Sequence, residues 1–317
     1  MRFSVIIPLY NKAPYVAKAI QSVLAQTFSD YELIVVDDGS KDDSATIASQ
    51  IIEGRQNCRL IHQDNMGVSM ARNNGVATSH GDYLCFLDAD DWWEPTFLEE
   101  MSQLIEEFPE AGIYGVNYTI VNETKHKTRV AQIGVEEGFE KGYINYCQAY
   151  AKTMYMPLTS ISVAIPRAVF DEMGGFPQDI KLGEDFLLWI RIVLKYKVAF
   201  LNKPLAYYNQ DVDSLSSGTH RIDYDPDAFM TFYFDQFAAA EREDKDVKVL
   251  LDRLRVCSLM SFRKQNLYRD RVQHEIDEVD FANVASIYRF YYHAPYWMVW
   301  FSCEAVRVLS VIKQKLK

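Results

Sequence analysis

The first hundred residues alternate apolar segments of strand length with amphipathic segments of helix length, and this alternation constrains the fold more than any other feature of the sequence. Four segments have the length and composition of strands: residues 3–9, 31–37, 58–63 and 82–88. Between the first two, residues 16–24 place apolar side chains at the i, i+3, i+4 spacing of an amphipathic helix. Strand followed by helix, repeated, predicts a parallel sheet with right-handed crossovers.

The second predicted helix follows residues 31–37. Ser40 and Asp43 approximate a capping box, in which two side chains satisfy backbone N–H groups at the start of a helix, and an apolar stripe begins at Ile47. The pattern therefore predicts a helix whose N-terminus is capped by Ser40.

The regular alternation of strand and helix segments ends after about residue 112. Apolar segments of strand length recur there without short regular crossovers, at residues 111–121, 159–165 and 198–208. Pro166 should begin a short helix that ends near Gly174, because proline suits the first helical position and glycine the C-terminus. Residues 187–196 have the composition of a buried helix, and the chain beyond about residue 220 is predominantly helical in pattern.

Polar side chains collect where the predicted strands end. They are Tyr10 and Asn11, Asp37 and Asp38, Asp64 and Asn65, and Asp88 and Asp90. Ligands of open parallel sheets bind outside the carboxyl ends of the strands. The clustering therefore predicts a nucleotide site at that edge.

The composition excludes several classes of protein. A formal net charge of -11 argues against a nucleic-acid partner, which normally requires a basic surface, so an anionic substrate must meet a local cation. Five cysteines without CxxC spacing favour reduced thiols over disulfides or a zinc site. The apolar segment near the N-terminus is too short for a signal peptide and is better explained as a strand. We therefore expect a cytoplasmic protein.

Asp88 and Asp90 flank Ala89 at the end of the fourth predicted strand. On an extended backbone, residues i and i+2 project to the same side, so both carboxylates can face one ligand. Like charges this close repel, and a hard divalent cation such as Mg²⁺ or Mn²⁺ takes carboxylate and phosphate oxygens as ligands. The triplet therefore predicts a metal that bridges the protein to a diphosphate.

Five segments resemble, in order and spacing, motifs of the inverting glycosyltransferases of family 2 of the bacterial polysaccharide type, which have the GT-A fold. The segments are SVIIPLYNK (4–12), VVDDGSKDDS (35–44), NMGVSMARNNG (65–75), FLDADDWWEP (86–95) and GEDF (183–186). The resemblance covers about residues 1–210. It implies an α/β protein of the GT-A type, with a Rossmann-like, mostly parallel sheet flanked by helices and a C-terminal helical extension.

The same resemblance implies a domain organisation. Residues 1–215 would form the GT-A glycosyltransferase domain, with a nucleotide-binding half at 1–110 and an acceptor-binding half at 111–215. Residues 216–317 would form the C-terminal helical region.

The resemblance also assigns residues to the nucleotide. Asp38 would accept a hydrogen bond from the imide N–H of uracil, since an ionised carboxylate only accepts. Tyr10 would stack on or flank the base, and Pro8 and Asn11 would shape that loop.

The diphosphate end of the donor has its own implied residues. Asp90 would ligate Mg²⁺ or Mn²⁺ directly, and Asp88 would contact the ribose or a metal-bound water, with Ala89 between them in the nucleotide-sugar site. Arg72 or Lys12 would lie near the diphosphate. The departing diphosphate would then develop its charge in a compensated site.

Asp185 would be the general base that removes a proton from the acceptor hydroxyl. An ordinary aspartate is too acidic for a base near pH 7, and burial beside Glu184 would raise its pKa. The sequence leaves open which of the two acts, and the resemblance favours Asp185.

The implied enzyme is an inverting, metal-dependent hexosyl- or N-acetylhexosaminyl-transferase. Its donor would be a nucleotide-sugar, a UDP-sugar in the first instance. Its acceptor would be a hydroxyl of a cell-surface polysaccharide or a lipid-linked glycan.

Each motif also has a structural interpretation. Asp38 ahead of Gly39 could form a turn that caps the next helix. Residues 88–91 could cap a helix that begins near Pro95, although three carboxylates exceed what a cap needs. Packing explains three tryptophans better than a sugar platform does: Trp92, Trp93 and Trp189.

Rival functions fit less well. A phosphatase that uses DxD would carry it on an early strand, and a dehydrogenase or nucleotidyltransferase would open with a glycine-rich phosphate loop, where this chain has PLYNK. The remaining alternative is a catalytically inactive GT-A protein that binds a sugar nucleotide or a partner.

The C-terminal segment 285–317 is rich in aromatic residues and ends in basic ones. Glu304 and Arg307 interrupt its apolar run before it reaches the roughly 20 residues of a membrane span. Two interpretations stay open: a helix at the inner face of the plasma membrane, which would make the protein peripheral, or a stripe that packs on protein. His220 is a weaker candidate for the diphosphate site, since a lone histidine is more often structural.

Overall fold

The computed structural model describes residues 2–122, 124–211 and 225–299. The chain forms two compact units, residues 1–222 and 223–317. The predicted domain boundary at 215 falls outside the described residues, and the division of the first unit into two halves at 110 stays a prediction.

A ten-stranded mixed sheet forms the centre of the first unit. Its strands are β1 (Phe3–Leu9), β2 (Tyr31–Asp37), β3 (Cys58–His62), β4 (Tyr83–Phe86), β5 (Trp92–Trp93), β6 (Ala111–Asn122), β7 (Lys127–Val130), β8 (Lys141–Ile144), β9 (Val163–Pro166) and β10 (Lys197–Asn209). The order is β3-β2-β1-β4-β9-β6-β10-β5, with β7 on β6 and β8 on β10. The predicted parallel arrangement of the first four strands is confirmed: β1 pairs with β2 and with β4, and β2 pairs with β3. Strand β9 lies antiparallel between β4 and β6.

Seven α-helices of the described part of the first unit flank this sheet. They are α1 (Val16–Leu24), α2 (Ser44–Ile52), α3 (Val68–Ala77), α4 (Phe97–Glu107), α5 (Tyr146–Thr153), α6 (Arg167–Met173) and α7 (Glu184–Val193). The short helix predicted after Pro166 is confirmed, and it ends at Gly174 in the left-handed conformation (φ 80°) that glycine adopts without strain.

Three elements have a boundary that lies two or more residues from the sequence prediction. The strand predicted at 159–165 begins at Val163, because residues 160–162 form a 3-10 turn stabilised by a capping box of Thr159 and Ser162. The helix predicted at 187–196 spans 184–193, because Gly183, in a left-handed conformation at φ 87°, allows the chain to turn into the helix earlier.

The strand predicted at 82–88 ends at Phe86 because of Pro8. Leu87 N–H donates to the Ile6 carbonyl at 3.0 Å, and the next bond of this ladder would need an N–H at position 8. Proline lacks that donor, so the pairing of β1 with β4 stops there. Residues 87–91 are thereby released from the sheet.

The predicted capping box before α2 is wrong. The helix begins at Ser44 with Asp43 at its N-cap, and the Asp43 side chain makes no capping hydrogen bond. The Ser40 hydroxyl instead accepts from the Asn11 N–H at 3.1 Å. Both residues belong to a loop that binds the loop after β1, which the local pattern could not indicate.

Helix α3 packs closely on β1 and β2 through Gly75. A Cβ atom at this position would lie 2.5 Å from Ile6 Cγ2 and 3.1 Å from Val36 Cγ2. Only a glycine permits this approach, which sets the depth at which α3 holds Arg72.

The described part of the second unit is predominantly helical, as predicted. It contains 3-10 turns at Pro226–Ala228 and Met230–Phe237, followed by α8 (Ala238–Glu243), α9 (Lys245–Ser258), α10 (Met260–Gln265), α11 (Arg269–Asp277) and α12 (Ser286–His293). In the three ranges that the structure describes, no helix combines the length and the apolar character that crossing a membrane would require.

A buried ion cluster joins the helices of the second unit. Arg255, which is 1% exposed, donates to both carboxylate oxygens of Glu241 at 2.7 and 2.8 Å and to Glu275 at 3.1 Å. Its guanidinium lies 5.4 Å from the centre of the Phe234 ring. One side chain therefore connects α8, α9 and α11.

Candidate active site

The loops after β1 and β2 bind each other at the carboxyl end of the parallel strands. Asn11 has a left-handed backbone (φ 50°), and its side-chain oxygen accepts from Lys41 N–H at 2.8 Å. Lys12 N–H donates to the Ser44 hydroxyl at 2.7 Å. These bonds fix the loop of residues 10–12 beside the second loop, and Tyr10 lies half-buried in it.

Asp38 is buried and holds the start of α3. Its carboxylate accepts from the Gln63 side chain at 2.7 Å, from Met66 N–H at 2.8 Å and from Gly67 N–H at 2.9 Å. A carboxylate has about four acceptor positions, so one position is left for a further donor. The predicted bond to a uracil N–H stays a prediction, and Asp38 also has a structural task that the sequence did not indicate.

The turn at residues 88–91 separates its three carboxylates. Asp91 N–H donates to the Asp88 carbonyl at 3.0 Å, which closes the turn. The Asp91 side chain is 1% exposed and accepts from Asn209 N–H at 2.7 Å. Burial, together with the charges of Asp90 and Asp88, raises the pKa of Asp91 well above its ordinary value. Asp91 therefore anchors β10 through one of its two carboxylate oxygens.

Asp88 and Asp90 each lie against a cation of the protein. Arg72 Nη2 is 2.8 Å from Asp88 Oδ1, and Lys12 Nζ is 2.6 Å from Asp90 Oδ2. Burial raises the pKa of Asp90, and the Lys12 ammonium acts in the opposite direction. Ala89, between them, is buried.

Arg72 connects the two acidic motifs. It is 2% exposed, and besides Asp88 it donates to Glu184 Oε1 at 2.9 Å and to the Ser160 hydroxyl at 3.2 Å. Burial alone would lower the pKa of its guanidinium, but the charges of Asp88 and Glu184 outweigh burial and raise it. Arg72 therefore stays charged, and its bond to Glu184 joins two residues that are 112 positions apart in the chain.

Asp185, the predicted general base, follows Glu184 in the chain. It lies in the first turn of α7, and its Oδ1 accepts from Phe186 N–H at 2.7 Å. Burial, and then the neighbouring charge of Glu184, raises the pKa of Asp185 to about 7, although the Arg72 charge acts in the opposite direction. Glu184 is held by Arg72, whereas Asp185 has no ion pair within the part of the chain that the structure describes.

Two residues near this site were missed by the sequence analysis. Ser160 contacts Arg72 from the turn before β9. Tyr208 on β10 lies close to both acidic motifs: burial, followed by the charges of Asp91, Asp88, Asp90 and Asp185, raises its pKa to about 12. Neither residue belongs to a local motif, so no sequence signal could have identified them.

The tryptophans pack as the structural interpretation expected. Trp93 is 3% exposed, stacks on Phe97 and donates to the Ile161 carbonyl at 2.7 Å. Trp92 stacks on Tyr207 at 5.1 Å, and the Lys18 ammonium lies 3.0 Å from the centre of its ring. Trp189 is fully buried.

The carboxylate oxygens of Asp88 and Asp90 suit a hard divalent cation as ligands. Each carboxylate already attracts a protein cation, and Asp88 is 30% exposed. A second group of potential ligands in the described residues lies in the other unit, at Asp235, His274 and Glu275. Glu275 is already bonded to Arg255 there, which leaves that group poorly suited to a metal.

The structure thus brings together six of the residues considered from the sequence: Lys12, Arg72, Asp88, Asp90, Glu184 and Asp185. Pro8 lies within β1 and acts on the length of β4. His220 and residues 300–317 of the C-terminal segment lie outside the described residues.

Comparison with known proteins identifies relatives of this chain. Residues 4–170 match the sequence model of glycosyl transferase family 2. The glycosyltransferase GlyA of Streptococcus pneumoniae is 33% identical over 225 residues, which are 68% of this chain and 31% of GlyA. An uncharacterized glycosyltransferase of Nostoc is 43% identical over 117 residues, 37% of this chain and 35% of that protein. The chain spans about a third of the length of these relatives.

The fold also matches a solved structure. The crystal structure of S. aureus TarS residues 1–349 in complex with UDP-GlcNAc superposes with a TM-score of 0.76 at 20% identity and covers 96% of this chain and 92% of that one. This match confirms the GT-A fold with C-terminal helices. With the family match over more than half of its length, this chain belongs to glycosyl transferase family 2.

Proposed function

We propose that this protein is an inverting, metal-dependent glycosyltransferase that moves a hexosyl or N-acetylhexosaminyl group from a UDP-sugar to a hydroxyl group. The acceptor would be a cell-surface polysaccharide or a lipid-linked glycan. TarS, which shares the fold, has been crystallised with UDP-GlcNAc and with UDP, which supports a UDP-sugar as the first donor to test.

One observation carries this proposal: Arg72 links Asp88 to Glu184, so the donor motif and the base motif lie side by side. A transferase that joins a donor to an acceptor must hold both next to one reacting carbon. A protein that only binds a sugar nucleotide has no need for the second carboxylate pair.

The proposed reaction is a single displacement at the anomeric carbon. Asp185 takes the proton of the acceptor hydroxyl while the oxygen of that hydroxyl bonds to the anomeric carbon. The bond from this carbon to the diphosphate oxygen breaks, and the electron pair leaves with UDP. Because attack comes from the face opposite the leaving group, an α-linked donor gives a β-linked product. A pKa of about 7 suits Asp185 to this task.

The donor side would be held by the loops after β1, β2 and β4. Asp88 and Asp90 would hold Mg²⁺ or Mn²⁺, which when bound offsets the charge that develops on the departing diphosphate. Tyr10 and Asn11 would line the base, and the remaining acceptor position of Asp38 would be available to uracil. Both terminal nitrogens of Arg72 already bond to protein carboxylates, so Lys12 is the better candidate for the diphosphate.

The residues that bind the two substrates and the cellular location of the protein are further parts of this proposal. Residues 1–215 would carry the donor and acceptor sites, with the acceptor bound mainly by residues 111–215. We expect a cytoplasmic protein, with residues 285–317 as the candidate contact to the membrane. Ile287 and Phe290, which are exposed on α12, would suit such a contact.

The test is release of UDP from UDP-GlcNAc, UDP-glucose and UDP-galactose with Mn²⁺, with water or simple sugars as acceptors. We expect Asp90→Asn and Asp185→Asn to lose at least about 100-fold in rate. Glu172→Gln, which changes an exposed carboxylate on α6 outside these loops, is the control and should keep the wild-type rate. Equal rates for all four proteins would refute the mechanism. NMR of the product anomer tests inversion directly.

A further inference from the structure

Asp90 lies against a cation that belongs to the protein. Lys12 Nζ is 2.6 Å from Asp90 Oδ2, and the two side chains are only 13% and 15% exposed. Solvent and salt screen such a shielded pair less than they screen exposed pairs. The carboxylate to which the proposed function assigns the metal therefore has a strong internal competitor for that metal.

The ammonium can leave Asp90 without disturbing the loop. The Lys12 N–H is fixed by the Ser44 hydroxyl at 2.7 Å, and its carbonyl accepts from Tyr15 and Val16 N–H, both at 2.9 Å. The side chain is a flexible four-carbon stem, which can rotate while this backbone stays fixed. Arg72 differs, because its planar guanidinium is buried and bound to Asp88, Glu184 and Ser160 together.

A divalent cation on Asp90 would repel an ammonium on the same carboxylate. A diphosphate offers the ammonium other anionic oxygens of comparable attraction. The two events, departure of the ammonium and arrival of the metal, should therefore be linked, and linkage is reciprocal.

We propose that Lys12 is a positioning residue that couples the two parts of the donor: its ammonium holds Asp90 until a nucleoside diphosphate draws it away, and Asp90 then binds the divalent cation tightly. The inference rests on the proposed function, because it takes Asp90 as a metal ligand. It predicts that metal alone binds weakly, and that part of this weakness is due to Lys12.

The experiment measures Mn²⁺ affinity from the EPR signal of free Mn²⁺, with and without saturating UDP. In the wild-type protein, UDP should tighten Mn²⁺ binding at least tenfold. Lys12→Met should tighten Mn²⁺ binding without UDP at least threefold, and the effect of UDP should shrink by at least threefold. Direct contact between Mn²⁺ and UDP accounts for the part of the effect that remains.

Two variants serve as controls. Lys18→Met removes the same charge from α1, where the ammonium lies over the Trp92 ring, and should leave both Mn²⁺ affinities unchanged. Lys12→Arg keeps the charge and should bind Mn²⁺ without UDP as weakly as the wild-type protein. Thermal unfolding checks that each variant is folded.

The outcomes separate this inference from the proposed function. If UDP tightens Mn²⁺ on the wild-type protein but Lys12→Met binds Mn²⁺ without UDP no more tightly, the role of Lys12 is overturned and the metal site stands. The same holds if Lys18→Met has an equal effect, since the effect would then be general electrostatics. If UDP fails to tighten Mn²⁺ on the wild-type protein, both proposals fall.

Discussion

Under the proposed mechanism, the carboxyl of Asp185 should control how the reaction rate responds to pH. Its pKa is raised to about 7, first by burial and then by Glu184. A base must be ionised to accept a proton, so kcat/KM should rise with pH up to about 7 and then level off.

The Glu184→Gln variant tests this electrostatic account. Glutamine keeps the shape of the side chain and an oxygen acceptor for Arg72 but removes the negative charge that raises the pKa of Asp185. We expect the acidic limb of the kcat/KM profile to move to lower pH by roughly one unit. Glu172→Gln, at an exposed pair with Lys195, should leave the limb in place. An unmoved limb in Glu184→Gln would mean that another group controls it.

The same raised pKa predicts a stability cost. Between about pH 4, where an unfolded aspartate titrates, and about pH 7, the folded state binds more protons at Asp185 than the unfolded state does. Stability should therefore fall as pH rises through this window. Asp185→Asn should be more stable than the wild-type protein at pH 8, by on the order of 2–4 kcal/mol, and the difference should vanish near pH 4.

Urea unfolding at both pH values measures this difference. Asp43→Asn is the matched control, because its carboxyl is exposed. If Asp185→Asn raised the free energy of unfolding equally at pH 4 and pH 8, the gain in stability would not come from the charge of Asp185.

At the scale of elements, the contact of α3 with β1 determines where Arg72 lies. Gly75→Ala would place a methyl group 2.5 Å from Ile6 Cγ2, so the helix must move outward. Overpacking of this kind costs about 1–3 kcal/mol. Because Arg72 moves with α3, we expect the rate of UDP release to fall further than the stability loss alone explains.

Urea unfolding and the UDP-release rate, measured on the same Gly75→Ala preparation, check this prediction. Ala77→Ser, at an exposed position of the same helix, should change neither quantity appreciably. Wild-type stability in Gly75→Ala would show that the helix has room that the structure does not indicate.

The sequence was sufficient for the elements with strong periodicity. The parallel strands β1 to β3 lie where the apolar runs predicted them, because buried strands are nearly continuous in apolar residues. Strands β5, β7 and β8 were not predicted, since two to four residues carry no clear period. They form because the long strands β6 and β10 offer them pairing partners.

At the scale of the whole molecule, buried ion pairs stabilise the second unit, and the sequence does not show which charged residues form them. Arg255 binds Glu241 and Glu275 out of contact with water. Removal of one partner of a buried pair leaves uncompensated charge and typically costs 3–5 kcal/mol. We expect Arg255→Ala to destabilise the protein by about that amount in urea unfolding.

Arg271→Ala is the matched control in the same unit. Its pair with Asp227 is exposed, with 43% and 75% of the two side chains open to solvent, and such pairs contribute about 0–1 kcal/mol. Equal losses in the two variants would mean that the Arg255 cluster is no stronger than a surface pair.

The sequence predicts only the part of the candidate site that consists of local motifs. Acidic pairs in motifs, such as Asp88 with Asp90 and Glu184 with Asp185, are visible in the sequence because their members are one or two positions apart. The contacts made by Arg72 and Tyr208 depend on which strands lie side by side. That information belongs to the tertiary structure.

The bridge from Arg72 to Glu184 spans 112 positions, and β9 lies between β4 and β6 in the folded first unit. During synthesis, a nascent chain that has left the ribosome only as far as β4 carries both aspartates of the donor motif but not the acidic pair of α7. High contact order therefore delays assembly of the complete site until most of the first unit has been translated.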